Sequence, residues 1–79
     1  MAVDVTMPKL GLTMEVGSVV RWLKNEGDRV EKGEIIVVVE TEKVEYEVES
    51  PASGILKSII AKPEIEYPVG ELLAVIEEG

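Results

Sequence analysis

Apolar residues recur along this 79-residue chain at every second position or in short runs, and turn-forming residues separate them. Period-two alternation and short β-branched runs predict strands, and no segment sustains the 3.6-residue period of a helix. The sequence therefore predicts an all-β chain. The predicted strands are VDVTM (3–7), SVVRWL (18–23), IIVVV (35–39), VEYEVE (44–49), ILKSII (55–60) and LLAVI (72–76).

The chain also repeats itself. An offset of 37 residues places GEIIVVVE (33–40) on GELLAVIE (70–77), and it places Gly17 on Gly54. Such self-similarity predicts two similar halves, packed as two sheets of a small flattened barrel or sandwich with approximate two-fold symmetry. The alternative is that short strand–turn–strand units resemble one another without any symmetry.

Alternation also predicts how two of the strands pair. If 35–41 and 44–49 form an antiparallel hairpin, one face of the pair is apolar throughout, and a slip of one residue would set valines opposite glutamates. The predicted opposite pairs are Thr41 with Val44, Val39 with Tyr46, and Val37 with Val48. This register places Lys43 at the tip of the hairpin.

The predicted tip departs from two local preferences. Two-residue hairpin turns favour Asn-Gly or Asp-Gly, so Glu42-Lys43 predicts a type I turn, which accepts most residues. The register also sets Glu40 opposite Glu45, a pair of like charges that destabilises the hairpin. Local preferences that are broken without a visible structural gain indicate a functional site. The alternative is an ordinary exposed lysine in a turn.

Composition narrows the range of functions. The chain has 8 basic and 16 acidic residues, a formal net charge of −8, which argues against nucleic acid and anionic membranes as partners. Because it contains no histidine and no cysteine, we expect no catalytic residues and no structural zinc site. No calcium-loop spacing is present, so no metal is predicted. The N-terminus has neither secretory nor transit character, which predicts a cytoplasmic protein, with a mature mitochondrial fragment as the alternative.

Four stretches together resemble one known family. ETEKVEYEVESPASGIL (40–56) resembles the attachment region of lipoyl domains, and MPKLGLTMEVG (7–17) resembles the opening stretch of those domains in acyltransferase components of 2-oxo acid dehydrogenase complexes. EGDRVEKGE (26–34) and YPVGELLAVIEE (67–78) are similar to the two turn regions of the family. The resemblance covers residues 1–79 as one lipoyl domain.

The resemblance implies two four-stranded sheets, with Lys43 joined by an amide to lipoic acid at a hairpin tip. It implies that Glu42 and Val44 are recognised by the modifying enzyme, and that the loop 9–15 lies near the tip. Glu42 and Val44 stand where the family commonly has Asp and Ala, and KPEIEYPVG lacks the usual glycine of the second turn. The loop residues expected to contact a partner are Leu10, Gly11, Leu12 and Thr13.

The resemblance also implies a non-catalytic, swinging-arm acyl carrier. Lipoylated Lys43 would accept an acyl group from a thiamin-diphosphate-dependent decarboxylase, deliver it to an acyltransferase domain for transfer to coenzyme A, and be reoxidised by dihydrolipoyl dehydrogenase. Lipoate-protein ligase or lipoyl transferase would modify it, and we expect the isolated domain to be monomeric. The nearest alternative is a biotinyl carrier domain of a biotin-dependent carboxylase. A glycine-cleavage-type lipoyl carrier and an unmodified interaction domain are further alternatives.

Overall fold

The computed structural model describes residues 1–42 and 44–78, and all regular structure within these ranges is β. In this part of the chain no helix has the length and apolarity needed to span a membrane. The domain measures 35 × 20 × 18 Å along its principal axes. The strands are β1 (Ala2–Thr6), β2 (Val16–Trp22), β3 (Arg29–Val30), β4 (Ile35–Thr41), β5 (Val44–Glu49), β6 (Gly54–Ile59), β7 (Glu66–Pro68) and β8 (Leu72–Glu77).

The strands form two four-stranded antiparallel sheets, which confirms the predicted fold class. The first sheet has the order β1-β8-β6-β3 and the second has the order β5-β4-β2-β7. Both sheets contribute apolar side chains to one shared core, so the molecule is the sandwich form of the predicted architecture. The largest fully buried side chains of this core are Met7, Val19, Val30, Ile36, Val37, Val39, Leu56, Leu73 and Ile76.

The two halves are related residue by residue. The β2–β4 register and the β6–β8 register contain the same pairs displaced by 37 positions, and both registers shift at equivalent points. Shared register and shared irregularity are not expected of strand–turn–strand units that merely look alike, so the predicted two-fold relation is confirmed. The matching pairs are Val19↔Val39 with Leu56↔Ile76, Arg21↔Val38 with Ser58↔Val75, and Trp22↔Val37 with Ile59↔Ala74.

Two strands escaped prediction. The strands β3 and β7 contain two and three residues and lie inside stretches rich in turn formers, so neither shows a countable alternation. Each is the outer strand of its sheet, where Pro68 is tolerated because one side of the strand needs no ladder hydrogen bond. The six strands that were predicted are correct to within two residues at either end.

The second turn shows why the missing glycine matters to the fold. Gly27 has φ +93°, and Glu64 at the equivalent position has φ +69°. Their amides donate equivalent hydrogen bonds, from Gly27 to the Leu56 carbonyl (2.7 Å) and from Glu64 to the Val19 carbonyl (2.6 Å). The symmetric hydrogen-bonding pattern therefore holds Glu64 in the left-handed region, at a cost that glycine avoids.

Candidate functional site

The β4–β5 hairpin has the predicted register. Thr41 pairs with Val44, so only residues 42 and 43 connect the two strands. Glu40 pairs with Glu45 as expected, and the pairs Val39↔Tyr46 and Val37↔Val48 are also present. Lys43 itself lies outside the described residues, so its position at the apex and its role remain predictions.

The turn conformation differs from the prediction. Glu42 has φ +50°, whereas the first central residue of a type I turn has φ near −60°. The prediction of a type I turn was therefore wrong. Two-residue hairpin loops favour primed turns, in which this residue has positive φ, because their twist matches that of the strands. The hairpin thus imposes a conformation that costs a non-glycine residue roughly 1–2 kcal/mol.

Three carboxylates line the exposed side of β5. Glu45, Glu47 and Glu49 are exposed, and none of them forms an ion pair with another described residue. In the symmetry-related edge strand, β1, the equivalent side is the short run Ala2, Asp4 and Thr6. The equivalent positions of β1 hold only one carboxylate, so the fold does not require three glutamates on the exposed side of β5.

The two residues that flank Lys43 in the chain are accessible. Glu42 is exposed and Val44 is 49% exposed, whereas Tyr46 and Val48 further along β5 pack against the core. An enzyme approaching the end of the hairpin therefore meets a carboxylate and a small apolar side chain. This placement is compatible with the predicted recognition role of Glu42 and Val44 and does not test it.

The loop that precedes β2 is held by a buried methionine. Met14 is 8% exposed, and its sulfur accepts a hydrogen bond from the Leu10 amide (3.2 Å). The Met14 amide donates in turn to the Gly11 carbonyl (3.2 Å). Gly17 leaves room for this methionine, since a Cβ on Gly17 would lie 2.9 Å from Met14 Cε and 3.0 Å from Met7 Sδ. This arrangement was not predicted, although two methionines and a glycine around one loop are visible in the sequence.

The structure brings most of the predicted partner-recognition residues beside the hairpin. A small hollow of about 80 Å³ separates the loop from the end of the hairpin. Its lining comprises Leu10, Gly11, Thr13 and Met14 from the loop side and Thr41, Glu42, Val44 and Tyr46 from the hairpin side.

Leu12 does not line this hollow and is 96% exposed. A second hollow of about 410 Å³ lies between the loop's C-terminal half and the end of β4, and Thr41 Oγ1 reaches the Val16 carbonyl at 3.5 Å. Leu10, Gly11 and Thr13 thus lie on one side of the hairpin end, and Leu12 is exposed to solvent.

The described side chains near the hairpin offer little chemistry of their own. Within residues 1–42 and 44–78 no group of three or more acidic side chains is arranged to hold a metal ion. The buried Ser50 hydroxyl donates to the Ala52 carbonyl (2.6 Å) within one turn, and Ser53 Oγ accepts from the Lys32 amide (2.8 Å) and so joins two separate loops. Lys9 in the loop and Lys43 in the hairpin supply the amines of this region of the sequence that could be acylated.

Comparison with known proteins places this geometry in a family. The model of the biotin/lipoyl family described as "Biotin-requiring enzyme" matches residues 3–76. The dihydrolipoyllysine-residue acetyltransferase component of the acetoin cleaving system of Pseudomonas putida is 53% identical over 94% of this chain and 20% of its own length. The chain thus spans about a fifth of the length of such curated relatives.

Solved structures agree with the sequence relatives. The lipoyl domain of the 2-oxoglutarate dehydrogenase complex from Azotobacter vinelandii is 34% identical, with a TM-score of 0.80 over 98% of both chains. The Kluyveromyces lactis urea carboxylase is 26% identical, with a TM-score of 0.81 over 98% of this chain and 6% of its own. The similarity to the lipoyl domain extends over the whole of both molecules, and that to the carboxylase is confined to a small part of the larger protein.

Proposed function

The chain belongs to the biotin/lipoyl attachment family, and we propose that residues 1–79 form a lipoyl carrier domain with Lys43 as the attachment residue. The observation that carries the proposal is the β4–β5 register, in which Thr41 pairs with Val44 and leaves only Glu42-Lys43 to connect the strands. The attachment stretch of the sequence and the end of the hairpin therefore coincide. The similarity to a lipoyl domain over its entire length supports the lipoyl over the biotinyl alternative.

The residues around Lys43 fit a lipoyl group attached through an amide. In amide formation the lysine ammonium first gives up one proton; the free ε-nitrogen then attacks the carbonyl carbon of an activated lipoyl group and loses a second proton as the activating group departs. Glu42 and Val44, which flank Lys43 in the chain, are exposed and can be reached by the proposed modifying enzyme, lipoate-protein ligase or lipoyl transferase. The amide removes one positive charge, so the formal net charge of −8 becomes one unit more negative.

When bound, the lipoyl group supplies a disulfide that is reduced as it takes up an acyl group. The domain itself provides a rigid base, an accessible arm and a surface for partners, and no catalytic residue. The proposed partners are a thiamin-diphosphate-dependent decarboxylase, an acyltransferase domain and dihydrolipoyl dehydrogenase, as in the complexes of its relatives. Leu10, Gly11, Leu12 and Thr13 are proposed to contact the decarboxylase, and a cytoplasmic location is proposed for the protein.

Reductive acylation tests the carrier role. The purified domain is lipoylated with a lipoate ligase and incubated with either of two probes, each supplied with its substrate. The probes are two thiamin-diphosphate-dependent 2-oxo acid decarboxylases, one from a pyruvate dehydrogenase complex and one from a 2-oxoglutarate dehydrogenase complex, the two kinds of complex named for its relatives. We expect the intact mass to rise by one acyl group with at least one probe, whereas unmodified protein and Lys43→Arg gain none. A lipoylated domain that neither probe acylates would contradict the proposal.

A further inference from the structure

Met14 joins the loop of residues 9–15 to the core through its own side chain. The side chain is 8% exposed and belongs to the core cluster, yet it also lines both hollows beside the hairpin. Its sulfur accepts a hydrogen bond from the Leu10 amide at 3.2 Å, so the outer part of the loop is tied to a side chain of the core cluster. Thioether sulfur is a weak acceptor that packs well in irregular apolar space.

This connection determines where the loop stands relative to the hairpin. Leu10 and Gly11 form one wall of the small hollow, and Glu42 and Val44 form the opposite wall. Among the described residues no hydrogen bond joins these two walls directly; the nearest connection is the 3.5 Å approach of Thr41 Oγ1 to the Val16 carbonyl. The spacing of the walls therefore depends on how firmly the loop is tied to the core beneath it.

We propose that Met14 is a positioning residue, whose sulfur holds Leu10 and Gly11 at a fixed distance from the hairpin end so that a decarboxylase can dock on both at once. The proposal rests on the proposed carrier function and adds a residue of the core cluster that is not among the loop residues proposed to contact the decarboxylase. A loop that leaves this position presents the same side chains in the wrong place, which weakens docking and leaves the acylation step itself unchanged.

The chain contains a matched control for this residue. Met7 is 1% exposed, belongs to the same core cluster and lies against the same glycine. Within the described residues, however, Met14 is the methionine whose sulfur accepts a hydrogen bond, and the Met7 sulfur accepts none. Leucine replaces methionine with nearly the same volume, so Met14→Leu removes the acceptor and Met7→Leu makes the same change without that loss.

Amide hydrogen exchange tests the structural half of the proposal. In ¹⁵N-labelled protein we expect the Leu10 amide to exchange about three to ten times faster in Met14→Leu than in wild type, as the loss of one weak hydrogen bond implies. Met7→Leu should leave this rate unchanged. Equal Leu10 exchange in all three proteins would overturn the proposal.

Kinetics of reductive acylation test the functional half. With lipoylated domain and the probe that acylates wild type, Met14→Leu should raise the KM for the domain about three- to tenfold at unchanged kcat, while Met7→Leu matches wild type. The rate of lipoylation by the ligase should not change in either variant. An unchanged KM for Met14→Leu, or the same increase for Met7→Leu, overturns this inference alone. If neither probe acylates wild type, the proposed function falls and the inference falls with it.

Discussion

We expect Gly54→Ala to destabilise the domain strongly, because the new methyl group would collide with backbone. A Cβ on Gly54 would lie 2.9 Å from the carbonyl carbon of Glu77 and 2.9 Å from the Cα of Glu78, and closer still to the Glu77 carbonyl oxygen. These atoms lie at the last residue of β8 and the residue that follows it, and β8 pairs with β6 in the first sheet. Relief would require the two strands to separate.

Gly17 is the equivalent position in the other half and provides the comparison. A Cβ there would meet Met14 Cε at 2.9 Å and Met7 Sδ at 3.0 Å, which are the far ends of flexible side chains. Both glycines are buried and neither has positive φ, so the two substitutions differ mainly in what the methyl group meets. Comparing these two equivalent positions therefore distinguishes the effect of a collision with backbone from that of a collision with side chains.

The expected change in the free energy of unfolding follows from the cost of overpacking the core. Inserting a methyl group into a packed core costs about 1–3 kcal/mol, and alanine returns about 0.4–1 kcal/mol by restricting the unfolded chain. For Gly54→Ala, where backbone must move, we expect a net loss of about 2 kcal/mol, which lowers the Tm by roughly 8–16 °C in a domain of this size. For Gly17→Ala the two contributions nearly cancel, and the change should stay within about 0.5 kcal/mol.

Urea unfolding followed by circular dichroism gives both free energies of unfolding, and thermal unfolding gives both Tm values. If the slope of the free energy of unfolding against urea concentration is the same in both variants, the two substitutions differ in their effect on the folded state. If Gly54→Ala proved as stable as Gly17→Ala, the inference that β8 backbone blocks position 54 would be refuted.

Two further predictions concern single glutamates. Glu64→Gly should stabilise the domain by about 0.5–1 kcal/mol in urea unfolding, since it relieves a left-handed non-glycine residue, whereas Gly27→Ala should destabilise it; a loss of stability in Glu64→Gly would contradict this. The backbone amide of Glu31, which donates to Glu34 (2.9 Å), and Lys24 at 3.1 Å lower the pKa of Glu34 below its usual 4.5. A lowered pKa adds stability above pH 4.5 that is lost as the pH falls through the folded value. Wild type should therefore exceed Glu34→Gln in stability at pH 7, and the difference should vanish near the acid end of a pH series. Glu71→Gln is the matched control. Glu71 is equivalent to Glu34 in the other half, and the residue equivalent to Glu31 is Pro68, which has no backbone N–H to donate. An equal pH-dependent difference in Glu71→Gln would count against assigning the lowered pKa of Glu34 to the Glu31 amide.

Strand pairing could be read from the sequence because alternation leaves little choice. With Tyr46 and Val48 on one side of β5 and glutamates on the other, a single register keeps the apolar side inward, and the structure has that register. The 37-residue offset added the symmetry, since equivalent apolar positions in GEIIVVVE and GELLAVIE imply equivalent partners. Both predictions depend only on which residues are buried, and the pattern of apolar and polar side chains in the sequence indicates this directly.

Features that depend on three-dimensional context could not be predicted in this way. Glu42 and Glu64 are left-handed because the hairpin twist and the repeated hydrogen bonds demand it, against the preference of their residue type. The strands β3 and β7 are too short to show a period. The role of Met14 depends on a sulfur reaching the Leu10 amide, and no spacing of apolar residues encodes such a contact.

The central claim is that Lys43 carries a lipoyl group, and site-resolved mass spectrometry tests it directly. The domain is incubated in parallel with lipoate and a lipoate ligase, and with biotin and a biotin ligase. The intact mass is measured, and the modified peptide is then sequenced. Lys9→Arg is the matched control for Lys43→Arg, because Lys9 is an exposed lysine in the adjacent loop. We predict one lipoyl increment located at Lys43, retained in Lys9→Arg and lost in Lys43→Arg. Biotin at that residue, a lipoyl group at another lysine, or no modification by either ligase would contradict the account.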